Sequence, residues 1–339
     1  MDKQYLLPDI SVIIPTYNYA HYIIEAINSI LQQDYPQEKV EIIVVDDGST
    51  DNTSEVLHEF ISSKTIQYSY QENKGKASAT YKAIQKCSGK YIFNLDADDY
   101  FLPDKLKYTV NIFEDDASIV HVASPARQIM PDGSCRVEPI PGDIVQRKLE
   151  GAWLLERFMN ANLLVGGGST YAARSSALKS IEIPDAVDMY IDEFLVLAIL
   201  SLGNSFFINE CLSVWRGHGF NYSVESKKSE VQLAKSKRLL ASSDGVLLYL
   251  KNNNYNEDLV NIYRLKNATH HLSYKESLNA KNLKDIALYA SEVFLYIRPN
   301  WNLIKKYHVI NRLLPTSIFN FLKKTFLGSN KKFISDQVA

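Results

Sequence analysis

Up to about Tyr100 the chain alternates short apolar runs with segments of helical period, which is how a parallel sheet with crossover helices is written in sequence. Strands are expected at Ile10 to Ile14, Glu41 to Val45, Ile66 to Tyr70 and Tyr91 to Leu95. Between the first two, Ile23, Ile24, Ile27, Ile30 and Leu31 recur at three- and four-residue steps, painting one helix face for packing on the sheet. That helix should end near Gln33, before Pro36. Asp46 to Asp51 reads as a turn, and Asn52 with Glu55 has capping-box spacing for the next helix. Beyond Pro103 the order is less regular, with a hairpin expected at Asp132-Gly133, a helix from Gly151 to Asn160, a glycine run at 166 to 168 and a helix beginning near Asp192. From about Ser226 successive helical segments follow without strand signals. The expectation is an α/β unit at 1–225, mostly parallel, and a helical region at 226–339.

With 339 residues, 46% of them hydrophobic, the chain can bury a large core, so disorder is excluded as a reading. Cys87, Cys135 and Cys211 are odd in number and lack metal-ligand spacing, which points away from a disulfide framework or zinc site and toward a reducing, cytoplasmic setting. Neither a basic stretch leading into an apolar run nor a membrane-length apolar segment is evident. The net charge of -2 conceals an asymmetry: residues 301–332 carry seven Lys or Arg and no acid, leaving 30 basic and 39 acidic residues elsewhere. In that tail Leu303, Ile304, Tyr307, Ile310, Leu313 and Leu314 fall at helical spacing among lysines. Such a segment either lies on an anionic membrane surface or packs against the rest of the protein.

In open parallel sheets ligands bind beyond the carboxyl ends of the strands. The polar residues fall there: Pro15-Thr16-Tyr17-Asn18 after strand one, Asp46-Asp47 after strand two, Asp96-Ala97-Asp98-Asp99 after strand four. Three carboxylates within four residues repel by about 1 kcal/mol per pair at 4 Å in water and about 4 at an effective dielectric of 20. A hard divalent cation, Mg2+ or Mn2+, shared with substrate phosphates would relieve this. The plainer alternative is that the three aspartates cap the helix beginning near Pro103, and that Asp46 and Asp47 only form a turn.

S-V-I-I-P-T-Y-N, then V-V-D-D-G-S-T-D-N-T, then N-L-D-A-D-D together resemble glycosyltransferase family 2, over about residues 9 to 225. Asn73-Lys74-Gly75, Tyr190-Ile191-Asp192-Glu193 and the run from Trp215 to Ser223 extend the likeness. The resemblance implies a GT-A fold, a nucleotide-sugar donor, a divalent metal and transfer with inversion. It implies that Thr16, Tyr17, Asn18 and Asp46 hold base and ribose, with Pro15, Asp47 and Gly75 on the same donor site. It also makes Asp98 a metal ligand, puts Asp96 or Asp99 near the ribose, and makes Asp192, with Glu193 beside it, the base that takes the acceptor's proton. His218, in an R-x-H-x-x-N-x-S element, would complete the metal shell or touch the diphosphate. The other reading of Asp192 is a cap for the apolar helix Phe194 to Leu202. Gly167 and Gly168 either line an acceptor site or only turn the chain. Two departures from the family pattern stand out: Thr80-Tyr81 replaces an Arg-Asn pair, and Ala198 replaces an arginine six residues after Asp192.

A dinucleotide-binding oxidoreductase is excluded because Pro15-Thr16-Tyr17-Asn18 is not G-x-G-x-x-G, and no G-x-x-x-x-G-K-[ST] supports an NTPase. An acidic body argues against nucleic acid as partner. The rivals left are a metal-dependent nucleotidyltransferase and a catalytically silent sugar-nucleotide binder. The acceptor expected is a saccharide or a lipid-linked saccharide.

Overall fold

The structure is a computed structural model describing residues 9–161, 165–218, 229–278, 280 and 282–296. The first hundred residues give β1 (Ile10–Thr16), α1 (Ile23–Leu31), β2 (Val40–Asp46), α2 (Thr53–Val56), α3 (His58–Ser62), β3 (Gln67–Tyr70), α4 (Lys76–Lys86), β4 (Tyr91–Asn94) and β5 (Tyr100–Phe101). There follow α5 (Lys105–Asp115), β6 (Ile119–Ala123), β7 (Ala126–Ile129), β8 (Cys135–Val137), β9 (Lys148–Leu149), α6 (Gly151–Ala161), β10 (Tyr171–Arg174), α7 (Ser175–Lys179), α8 (Ile191–Leu200), β11 (Asn204–Phe207) and β12 (Ser213–Arg216). The chain continues through α9 (Ser229–Asn252), α10 (Glu257–Ser277) and α11 (Leu283–Tyr296).

Eight strands form the central sheet in the order β3-β2-β1-β4-β10-β6-β11-β9. The β3, β2, β1 and β4 strands are mutually parallel, and β10 runs antiparallel between β4 and β6. A smaller sheet, β5-β12-β7-β8, lies beside it. Period-two alternation divides the core: Ile13, Ile43, Val45 and Ile92 pack on the face covered by α4, α6 and α8, whereas Val12, Ile14, Val44 and Phe93 pack on the face covered by α1 and α5. Of the expected helix face in α1, Ile23, Ile27 and Ile30 are fully buried, each contributing about 1.5–3 kcal/mol.

The expected capping box at Asn52 does not form. Asn52 makes no side-chain cap bond, and Asp51 Oδ1 instead accepts from the Thr53 amide at 3.1 Å and the Thr53 hydroxyl at 2.5 Å. A charged acceptor one residue earlier outcompetes the amide. Nor do the three aspartates after β4 cap α5, since the capping position is Asp104, in the left-handed region at φ 68.

Two helices beyond residue 229 pack on the α/β body. Ser242 Oγ on α9 accepts the Asp188 and Met189 amides at 2.9 and 2.8 Å, and Phe194 of α8 meets Tyr249 edge-on at 4.8 Å. No helix among the described residues is long and apolar enough to cross a membrane. The basic segment expected from Trp301 onward lies outside the described residues, as do Asn221 and Ser223.

Candidate active site

The parallel strands β1, β2 and β4 deliver their loops to one cavity of about 590 Å³. Pro15, Thr16, Tyr17, Asn18, Asp47 and Gly75 line it together with Asp96, Asp98 and Asp192. Asn18, left-handed at φ 59, ties two loops together: its Oδ1 accepts the Thr50 amide at 2.7 Å and its own amide donates to Ser49 Oγ at 2.9 Å.

Asp46 and Asp47 have different surroundings. Asp46 is buried behind the wall, where Oδ1 accepts the Ser49 amide and Oδ2 accepts the Tyr68 hydroxyl, both at 2.8 Å. Asp47 Oδ1 accepts from Gln71 Nε2 and the Lys74 amide, and Oδ2 accepts the Gly75 amide at 2.8 Å. A carboxylate with this many donors fixes a loop. Gly75 itself, at φ 92, adopts a conformation that side chains resist, and a Cβ there would fall 1.8 Å from Asp188 Oδ1.

Asp96, Asp98 and Asp99 each present an oxygen within 4.8 Å of the others. Asp46 is not in that cluster. Burial, then the neighbouring Asp96 charge, pushes the Asp98 carboxyl above the usual range, and burial with its two acidic neighbours pushes Asp99 well above it. Three clustered carboxylates of this kind fit a hard divalent cation. His218 Nε2 lies 3.0 Å from Asp98 Oδ2, and its ring stacks on Tyr22 with centroids 4.7 Å apart. Asp99 faces inward: Oδ2 accepts the Ser169 hydroxyl at 2.6 Å, and Oδ1 the Arg216 amide at 3.0 Å.

In the same cavity Tyr190 occupies the capping position of α8 at φ 57, so Asp192 sits in the first helical turn rather than at the cap. Its Oδ2 accepts from Lys76 Nζ at 2.9 Å, and its buried Oδ1 has no hydrogen-bond partner among the described residues. Burial raises the Asp192 pKa; Lys76 opposes that and Asp96 adds to it. Glu193 turns away and pairs with Lys266 of α10. Gly167 lies against Asp192, where a Cβ would sit 3.2 Å from Asp192 Cβ, and Gly168 approaches Asp96 Oδ2. Below them Lys105, fully buried and with its pKa pulled by burial to about 7, donates to the Thr170 carbonyl at 2.6 Å.

Sequence reasoning missed Lys76, which donates to Asp96 Oδ2 at 2.8 Å as well as to Asp192. One signal was available: a lysine opening a helix opposes the macrodipole, so it needs acids nearby. Ser169, Asp188, Lys235 and Arg238 were missed too, the last three lining the cavity mouth with Asp188 paired to Arg238. Nothing local marks them.

A mixed sheet feeding an acidic cluster and a further carboxylate beside it defines a GT-A type α/β protein. Residues 11–175 match the model for glycosyl transferase family 2. A Nostoc sp. protein described as an uncharacterized glycosyltransferase is 32% identical over 241 residues, spanning 67% of this chain and 70% of the relative. The chain belongs to glycosyl transferase family 2. The chondroitin synthase of Escherichia coli is 29% identical over 67% of this chain, but that match spans only 31% of the relative, and a match to a Rickettsia bellii glycosyltransferase spans 15% of that protein. Among solved structures, Staphylococcus aureus TarS 1-349 in complex with UDP-GlcNAc superposes with TM-score 0.57 at 18% identity, covering 90% of this chain and 82% of that one. The mannosyltransferase PcManGT from Pyrobaculum calidifontis, in complex with GDP-Man and Mn2+, gives 0.54 at 18%, covering 95% and 88%. These two likenesses concern the fold.

Proposed function

We propose that this protein moves a sugar from a nucleotide-sugar, a UDP-sugar by preference, to an acceptor hydroxyl in polysaccharide or glycolipid assembly, with inversion at the anomeric carbon. The observation that carries the reading is the Asp192 carboxylate, which lines the same cavity as the acidic cluster and is tied to Asp96 through the shared Lys76 ammonium. In one in-line displacement the acceptor oxygen bonds to the anomeric carbon, its proton passes to Asp192, and the bond to the diphosphate breaks. The raised pKa of Asp192 brings it closer to the acceptor's needs than an exposed aspartate would be.

Asp98, with His218 and Asp96 beside it, would hold Mn2+ or Mg2+, and such an ion neutralises charge growing on the departing diphosphate. Thr16, Tyr17 and Asn18, which line the cavity, receive the nucleoside. Asp46, Asp47 and Asp99 act through the loops they fix rather than by touching the donor. Support for the donor class comes from the UDP-GlcNAc and GDP-Man complexes of the structural relatives, and for the product class from the chondroitin synthases. The catalytic unit proposed spans residues 1–225, with 226–339 as its helical companion. The basic run at 301–332 suits contact with an anionic membrane surface, where a lipid-linked acceptor resides.

Labelled UDP-sugars supplied with Mn2+ and a panel of saccharide acceptors test the reading. Transfer should release UDP and yield a product of opposite anomeric configuration by NMR. Release of pyrophosphate would instead identify a nucleotidyltransferase, and donor binding without turnover a silent binder.

A further inference from the structure

Resting on the transferase reading above, we infer that Lys76 reads the transferred sugar and that this sugar is a neutral hexose or N-acetylhexosamine, not a uronate. Lys76 opens α4 directly after Gly75, whose amide is held by Asp47, so its backbone is fixed to the nucleotide-side loop. From there Nζ reaches Asp96 Oδ2 at 2.8 Å and Asp192 Oδ2 at 2.9 Å. An in-line displacement puts the anomeric carbon between base and departing diphosphate. An ammonium that touches the acid beside the diphosphate site and the proposed base together therefore borders the sugar ring. The Lys76 side chain keeps 37% of its surface accessible, and that surface faces the recessed cavity. Of the three ammonium protons, two meet carboxylates and the third is at hand for a ring hydroxyl.

Charge selects the sugar. Two carboxylates share one ammonium here, and Asp98 and Asp99 stand just behind Asp96. A uronate would have to face Asp96 and Asp192 directly in a poorly screened site, or draw Lys76 away and leave Asp192 recessed without its cation. A neutral sugar accepts from Lys76 and donates to Asp96 without either penalty. A cation held at Asp98 would relieve the cluster in part, and the donor's own diphosphate would return negative charge to the same place.

Calorimetric titration with Mn2+ present, using UDP, UDP-glucose, UDP-N-acetylglucosamine and UDP-glucuronate and the matching guanine series, tests the inference. The best neutral donor should bind at least about tenfold tighter than its uronate counterpart. Lys76→Met should bring the Kd of that neutral donor to within about threefold of the free nucleoside diphosphate, and Lys76→Arg should restore part of the difference. A uronate donor binding as tightly as the neutral one, or a Lys76→Met protein with an unchanged ratio, overturns it while leaving the transferase reading intact. Absence of any nucleoside diphosphate binding overturns both. Should Lys76→Met fail to fold, the wild-type donor ranking decides alone.

Discussion

The Ser169 hydroxyl donates to Asp99 Oδ2 at 2.6 Å and accepts the Asp96 amide at 3.0 Å, so one side chain from the turn before β10 holds both ends of the acidic loop after β4. Ser169→Ala leaves a buried carboxylate and a backbone N–H each short of a partner. Stability in denaturant should fall by about 1–3 kcal/mol, and Mn2+ affinity should fall with it because the carboxylates lose their fixed spacing. An unchanged unfolding midpoint and unchanged Mn2+ affinity would show the bond to be incidental.

Gly75→Ala tests the nucleotide-side loop. At φ 92 an alanine costs about 1–3 kcal/mol, and its Cβ would displace the Asp188 carboxylate from Arg238. Thermal denaturation should show lowered stability, and titration with UDP should show weaker binding. Gly133→Ala, also at positive φ but with open space around it, should lower stability while leaving UDP binding unchanged.

His121 gives the fold an acid limit. It is completely buried, donates from Nε2 to the Gly166 carbonyl at 3.0 Å and accepts the Ser205 hydroxyl at Nδ1, and burial pulls its pKa down to about 4. The unfolded chain binds that proton near 6.5, so this contribution is complete above 6.5 and is lost as pH falls toward 4. The loss amounts to about 3 kcal/mol at most. Denaturant melts of wild type and His121→Gln at pH 7.5 and 4.5 measure it: wild type should lose more stability between the two than the variant.

How much of this could be read beforehand follows from the range of each interaction. Strands β1, β2 and β4 were legible because strands buried on both faces are continuous apolar runs, and the residues beyond their carboxyl ends came with them. Asp192 and Asp98 were legible through motif order. Of the smaller sheet only the β7–β8 hairpin was, through its Asp132-Gly133 turn; the rest was not, since strands of two to four residues carry no period. Lys76 was not either: its partner Asp192 is 116 residues away, and only the fold, which lays α4 and α8 on one face of the central sheet, makes them neighbours. Equally hidden was the separation of Asp192 from Glu193, which depends on Lys266 of α10 drawing Glu193 off the cavity.

The decisive measurement is the transfer rate of Asp192→Asn against wild type at saturating donor and Mn2+, with UDP affinity and melting temperature recorded on the same preparations. The account predicts a rate lowered about 10² to 10⁴-fold while the variant stays folded and still binds UDP. Transfer by Asp192→Asn at the wild-type rate would contradict it.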